Sequence, residues 1–209
     1  MLQAEDIKRL ISIWAAIMEE KRDYLITLDS VVGDGDLGLT MSDGFRAAKN
    51  AACGSGEADI GKLLYFSGKA MSEAVPSTMG TLMASGLMQA GKALKGQLEL
   101  DAQATAGLFR EFFNGVQLRG KAQVGDKTFL DGLAGAVDVL EDAAKSGADE
   151  AQAAEEAAKR AEQDFLATHG MKAVHGRAAA RGEASRDLLD PGAAVAALLM
   201  EGYRQFRAN

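Results

Sequence analysis

Apolar residues return every three or four positions through most of this 209-residue chain, and the material for extended strands is scarce. Val, Ile and Thr together number 22 of the 209 residues, and proline only two. β-Branched residues favour strands, whereas alanine and unbranched side chains favour helices. The pattern predicts an all-α fold. A first helix carries Ile7, Leu10, Ile11, Trp14, Ile17 and Met18 on one stripe, and a second carries Tyr24, Leu25, Leu28, Val31 and Val32. A third begins after Gly38 with Met41, Phe45 and Ala48, and a fourth, from Asp59, buries Ile60, Leu63, Leu64 and Met71. A fifth runs to Lys95, and a sixth from Asp101 turns Leu108, Phe112, Val116 and Leu118 inward. A seventh buries Leu130, Leu133, Val137 and Leu140, and an eighth, Asp149 to Thr168, faces Ala157, Ala161, Phe165 and Leu166 inward. Asp190-Pro191-Gly192 caps a last helix that packs Ala196, Leu199, Met200 and Tyr203. No Pro- or Ser-rich linker and no repeat interrupts the pattern, so residues 1–209 are expected to form one domain.

The formal net charge of −7 argues against nucleic acid or an anionic membrane as a partner. No run approaches the roughly eighteen apolar residues that a membrane span needs, and Met1 to Asp6 lacks the basic start of a secretory signal. Cys53 is the only cysteine, so there is no disulfide framework. These features point to a cytoplasmic protein.

The chemistry concentrates in Leu28-Asp29-Ser30-Val31-Val32-Gly33-Asp34-Gly35-Asp36-Leu37-Gly38. A helix that ends in a tight glycine turn can aim Asp29, Asp34 and Asp36 at one point. Carboxylates so gathered repel one another unless a cation sits between them. Hard oxygen ligands on a short loop suit Mg²⁺, which takes one or two carboxylates and leaves its other positions to water and phosphate. The competing reading is an ordinary interhelical turn whose aspartates serve as caps. An EF-hand is excluded, because Gly38 stands where an oxygen ligand belongs and Phe45 where the bidentate Glu belongs.

Three further stretches stand out. Val75-Pro76-Ser77-Thr78-Met79-Gly80-Thr81 reads either as a well-capped helix start or as a phosphate contact at that start. Arg119-Gly120-Lys121-Ala122-Gln123-Val124-Gly125-Asp126-Lys127-Thr128 is basic and glycine-punctuated, but it is no Walker A loop, since Asp126 follows Gly125; Asp126 or Thr128 is a candidate cap. His169 to Pro191 has no hydrophobic period and gathers Lys172, His175, Arg177, Arg181 and Arg186. Loops of this length are commonly functional, and clustered arginines in an acidic protein suggest phosphate contact, with a solvated surface loop as the alternative. Neither His169 nor His175 belongs to a recognisable catalytic or metal-binding spacing, and no catalysis is assigned to them.

In their order these stretches resemble the nucleotide-binding L subunit, or L domain, of the dihydroxyacetone kinases. The likeness rests on Leu28-Asp29, Gly33-Asp34-Gly35-Asp36 and Gly44-Phe45, on Arg119-Gly120-Lys121-Ala122 and Gly125-Asp126-Lys127-Thr128, and on Gly176-Arg177-Ala178, Gly182-Glu183 and Asp190-Pro191-Gly192-Ala193. The resemblance implies a barrel-like bundle of about eight antiparallel helices with the nucleotide at one end. It implies that Asp29, Asp34 and Asp36 hold two Mg²⁺ bridging the phosphates of ADP or ATP. Leu37, Gly38, Leu39 and Thr40 would line the phosphate side, with Thr78 and Met79 on the next loop. Gly120 and Phe129 would flank the adenine, Arg177 would contact the nucleotide as the catalytic side chain, and Asp190, Pro191 and Gly192 would complete the pocket. The implied activity is phosphoryl transfer to dihydroxyacetone or another small ketose held by a partner K subunit. A phosphotransferase-system phosphocarrier is an alternative source of the phosphoryl group. A non-catalytic Mg-ADP adaptor that docks to a regulator is the other functional reading. Two departures bear on phosphoryl source and sugar: Pro76-Ser77-Thr78-Met79-Gly80 replaces the usual Gly-Gly-x-Ser-Gly, and Leu37 follows the third aspartate where phosphotransferase-fed members commonly have His.

Overall fold

The computed structural model describes residues 1–208. The chain is helical almost throughout, as its periodicity predicts. In order it forms β1 (Leu2–Gln3), α1 (Ala4–Glu20), α2 (Arg22–Val32), α3 (Leu37–Cys53), α4 (Ile60–Ala74), α5 (Thr78–Ala93), β2 (Glu99–Leu100) and α6 (Ala102–Gly120). It continues through α7 (Phe129–Ser146), α8 (Glu150–Ala167), the single turn α9 (Gly176–Ala179), a 3₁₀ segment (Gly182–Asp187) and α10 (Pro191–Ala208).

Eight of these helices form a closed ring, in which α1 packs on α3, α3 on α4, α4 on α5, α5 on α6, α6 on α7, α7 on α8, α8 on α10, and α10 back on α1. The shorter α2 lies against α3, outside that circuit. Neighbours in the ring run antiparallel. The start of α4 meets the end of α5, for example, where Gly61 and Gly91 approach so closely that a Cβ on either would lie 2.5 Å from the other's carbonyl oxygen. The apolar stripes of all eight helices face inward and merge into one core.

The centre of that core is aromatic. Trp14 meets Phe45 and Phe109 edge-to-face at centroid distances of 6.2 and 6.3 Å, and Phe109 meets Tyr203 at 4.7 Å. The indole Nε1–H donates to the Leu199 carbonyl at 2.8 Å, which ties α1 to α10 where the ring closes. That bond removes the one polar group the tryptophan would otherwise bury unpaired.

Several details differ from the sequence expectations. Helix α3 starts at Leu37, so Gly38 lies inside it; the Arg22 carbonyl and Ile26 approach so tightly that a Cβ at Gly38 would lie 2.1 Å from that oxygen. Leu118 and Leu166, expected inside, are exposed, as is Val31, because each sits off its helix's buried stripe. His169 to Pro191 is not featureless, since it contains α9 and the 3₁₀ segment. The short antiparallel ladder of β1 with β2, pairing Leu2 with Leu100, had no alternation to announce it. No helix among the described residues is long and apolar enough to cross a membrane.

Replacing Trp14 with Ala removes the aromatic hub and the bond that closes the ring. The expected loss of unfolding free energy is about 3–5 kcal/mol, measured by urea denaturation; a loss under 1 kcal/mol would show that the core collapses around the gap.

Candidate functional site: an acidic cleft at one rim of the ring

Connectors in an antiparallel ring alternate between its two rims. One rim carries residues 33–36, 75–77, 121–128 and 168–190, which lead into α3, α5, α7 and α10. Four helix N-termini therefore gather at that end, and with them the positive ends of four helix dipoles. Between them lies a cleft of about 890 Å³.

One wall of the cleft is acidic. Asp29 sits on the last turn of α2, and Asp34 and Asp36 on the turn that follows. Gly35 lets the chain reverse there with φ +75°, a backbone that a side chain would strain and that places its Cβ position 2.4 Å from Ser30 Oγ. One oxygen from each carboxylate lies within 4.8 Å of the others. Burial and the nearby charges of Asp34 and Asp29 raise the Asp36 pKa, with Arg177 acting in the opposite sense.

The capping explanation fits this cluster poorly. Asp36 occupies the N-cap position of α3, yet its side chain makes no capping hydrogen bond. Asp29 only accepts a long bond, 3.4 Å, from the Leu37 amide. Asp34 instead pairs with the Arg177 guanidinium, which crosses from α9, 143 residues away. At the other three helix starts the capping reading holds: Ser77 accepts from the Gly80 amide at 3.0 Å, Thr128 from Leu130 at 3.2 Å, and Asp190 from Ala193 at 2.7 Å.

The opposite wall is apolar. Met79 and Leu82 of α5, Val116 and Gly120 of α6, Ala122, and Phe129 of α7 form a slot that opens onto the acidic wall. Asp190, Pro191 and Gly192 make the floor. The structure thus brings Asp29, Asp34, Asp36, Leu37, Thr78, Met79, Gly120, Phe129, Arg177, Asp190, Pro191 and Gly192 into one cleft. Gly38, Leu39 and Thr40 lie outside its lining: Gly38 and Thr40 are buried within the fold, and Leu39 points outward at 51% exposure.

Two lining residues, His175 and Lys127, and the neighbouring Asp126 were given no role at this site from sequence. His175 closes the rim beside Arg177, its Nε2 2.9 Å from Asp126 Oδ2. Asp126 also accepts from the Gln123 amide at 2.8 Å, and these contacts hold its carboxyl below the usual range. Lys127 is 2% exposed and donates to the carbonyls of Met171 (3.1 Å), Ser185 and Leu188. All three sit in or beside motifs already evident in the sequence; what was invisible was the segment they hold. Lys172 and Arg186, by contrast, pair with Glu183 on the outer surface.

Against this geometry, comparison with known proteins is specific. The DAK2 domain family matches residues 31–205, and the chain belongs to that family. It is 31% identical over 185 residues to the ADP-binding subunit DhaL of a PEP-dependent dihydroxyacetone kinase from Escherichia coli, covering 88% of each chain. It is 37% identical over 128 residues to the corresponding subunit of a second such kinase from Listeria innocua, where the match spans 60% of this chain and 59% of that one. Among solved structures, the dihydroxyacetone kinase from C. freundii in complex with AMP-PNP and Mg²⁺ superposes with a TM-score of 0.68 at 21% identity, over 95% of this chain and 33% of that one. The all-α ring is thus a known fold, and this chain spans about a third of that larger protein.

Asp190 supplies a pH-dependent test of the cleft floor. It is buried, and burial first, then the charge of Asp131, push its pKa up to about 7 against the bonds from Ala193 and Gly192 and the charge of Lys127. A carboxyl whose folded pKa lies above its unfolded value stabilises the fold most below the unfolded pKa and loses that contribution as pH rises through the folded one. Stability should therefore decline between about pH 4 and pH 8 from this group. Asp190→Asn, which keeps an acceptor for Ala193, should lose that component, so urea midpoints of parent and variant should diverge in the variant's favour from pH 5 to pH 8. A pH-independent difference would mean that Asp190 is ionised throughout.

Proposed function

We propose that this chain is the nucleotide- and Mg²⁺-binding subunit of a small-ketose kinase, and that it transfers a phosphoryl group from bound nucleotide to a sugar held by a partner K-type subunit. The observation that carries this reading is the division of the cleft. Three carboxylates and one arginine converge on one side, an apolar slot lies on the other, and four helix N-termini ring the space between.

The donor set fits the cation. Asp29, Asp34 and Asp36 offer only hard oxygens, close enough together to serve two Mg²⁺ while leaving positions for phosphate. Bound there, the ions would neutralise phosphate charge, which is the main requirement of phosphoryl transfer through a loose transition state. Arg177, already drawn to the same point by Asp34, would meet the charge that spreads over the transferring group. Thr78 and Leu37 lie at the starts of α5 and α3, where phosphate oxygens are favoured, and Gly120 and Phe129 bound the slot for adenine. The names of the relatives support nucleotide and Mg²⁺, and the PEP-dependence of those from E. coli and Listeria supports a phosphocarrier that recharges bound ADP in the cytoplasm.

The sugar is a different matter. The attacking hydroxyl must be held in line with the phosphoryl group, and such positioning is worth about 7–11 kcal/mol of barrier. The acidic cluster, the apolar slot and Arg177 are assigned to metal and nucleotide, and a partner subunit would supply the sugar site.

Calorimetry with Mg-ADP tests the nucleotide half of the proposal. The parent should bind, Asp36→Asn should weaken binding at least about tenfold, a loss of about 1.4 kcal/mol, and omission of Mg²⁺ should weaken the parent similarly. An Asp36→Asn variant that binds like the parent would remove the metal reading. Turnover tests the second half: the isolated chain with Mg-ATP and dihydroxyacetone should be inactive, and a cognate K-type subunit should restore rates of about 1–100 s⁻¹. Ketose turnover by the chain alone would overturn the two-component scheme.

A further inference from the structure

We propose that Lys127, without touching nucleotide, is the positioning residue that sets Arg177 at the acidic wall. The inference rests on the nucleotide-kinase reading of the cleft and extends it to a residue outside the ligand contacts. Its ammonium has three donors, and all three are committed to backbone carbonyls: Met171 on one side of α9, and Ser185 and Leu188 on the other. A lysine so engaged, and 2% exposed, has nothing left with which to reach a phosphate. No carboxylate among the described residues forms an ion pair with it; its hydrogen bonds all go to carbonyls, and the charges of Asp190 and Asp187 act on it from farther away.

That arrangement is expensive for a mere surface loop. Burial lowers the pKa of Lys127, and its backbone sits at φ +63°, a region that non-glycine residues enter at a cost. What it achieves is geometric. The carbonyls lie at the two ends of a segment whose middle is α9, so one ammonium cinches the segment into a closed loop with Arg177 near its tip. Secondary ties reinforce the neck: Ser185 Oγ accepts from the Ala173 amide at 3.0 Å and donates to Gly182 at 2.6 Å, and the Gly170 amide donates to Arg186 at 2.8 Å. The Val174 amide reaches the Asp126 carbonyl at 3.1 Å, which holds the near flank of α9 against the residue before Lys127. Arg177 itself is 68% exposed in its side chain, and among the described residues the one ion pair it makes is with Asp34. Its position is therefore set by the loop and not by packing around it.

The experiment compares the parent, Lys127→Met, Arg177→Ala and the double variant. Amide hydrogen exchange without ligand is read first. Residues 169–188 should exchange at least about tenfold faster in Lys127→Met, with α5 and α6 unchanged. Unchanged exchange in that segment overturns the proposal whether or not nucleotide binds, so this arm stands even if the parent proves unable to bind Mg-ADP and the nucleotide reading falls. Mg-ADP affinity is read second. Each single variant should bind about ten- to a hundredfold more weakly, as expected for losing a charge-assisted contact. The double variant should be no weaker than Arg177→Ala within about twofold. A simple loss of global stability would leave affinity intact well below the melting temperature and would not depend on Arg177; parent-like affinity in Lys127→Met, or losses that multiply in the double variant, would overturn the positioning role. Should Lys127→Met fail to fold, Ser185→Ala opens the same neck from its other side and is held to the same two outcomes.

Discussion

Closure of the ring by α10 is the constraint on which the rest depends. This helix is wedged between α8 and α1, and its far end lies under Arg9, whose guanidinium stands 4.3 Å from the Phe206 ring centroid. Its near end begins at Asp190, whose backbone amide donates to the buried Thr168 hydroxyl at 3.0 Å and whose side chain caps Ala193. The last helix thus fixes the floor of the cleft by the same packing that completes the core. Without that closure the four N-termini would have no common point to face.

Charge is balanced at that point by unlike means. On the acidic wall, carboxylate repulsion is relieved only in part, by Arg177 on Asp34, and Asp36 holds its proton more tightly than an ordinary aspartate. At the floor, the Asp190 carboxyl and the Lys127 ammonium each bond to backbone instead of to one another. The first arrangement leaves charge available for a ligand to neutralise. The second is already satisfied, which is why the two clusters lie in one cleft and serve different ends.

Much of this was legible in the sequence, and the limits were physical. The helices followed from apolar spacing, because burial of one stripe is what makes an isolated helix persist. Convergence of Asp29, Asp34 and Asp36 followed from glycines that permit only a tight reversal. Lys127 could not be read, since a basic residue in a glycine-rich loop looks alike whether it faces water, phosphate or distant carbonyls. Leu118 and Leu166 misled for a related reason: an apolar residue one step off the stripe keeps the composition of a core position without its direction. The places of Gly38, Leu39 and Thr40 were equally hidden, because they depend on α3 starting two residues earlier than the glycine suggested.

The alternation of connectors between the two rims has an evolutionary corollary. Residues 33–36, 75–77, 121–128 and 168–190 carry the acidic turn and the arginine segment, while the connectors at 54–59, 94–101 and 147–149 carry the Asp59, Asp101 and Asp149 caps and β2 but line none of the cleft. Loops on the first rim can lengthen, shorten or exchange residues without disturbing the turns that hold the helices in register on the second. A scaffold divided in this way lets recognition diverge quickly among descendants while the barrel beneath them stays recognisably the same, with innovation confined to one face and inheritance to the other.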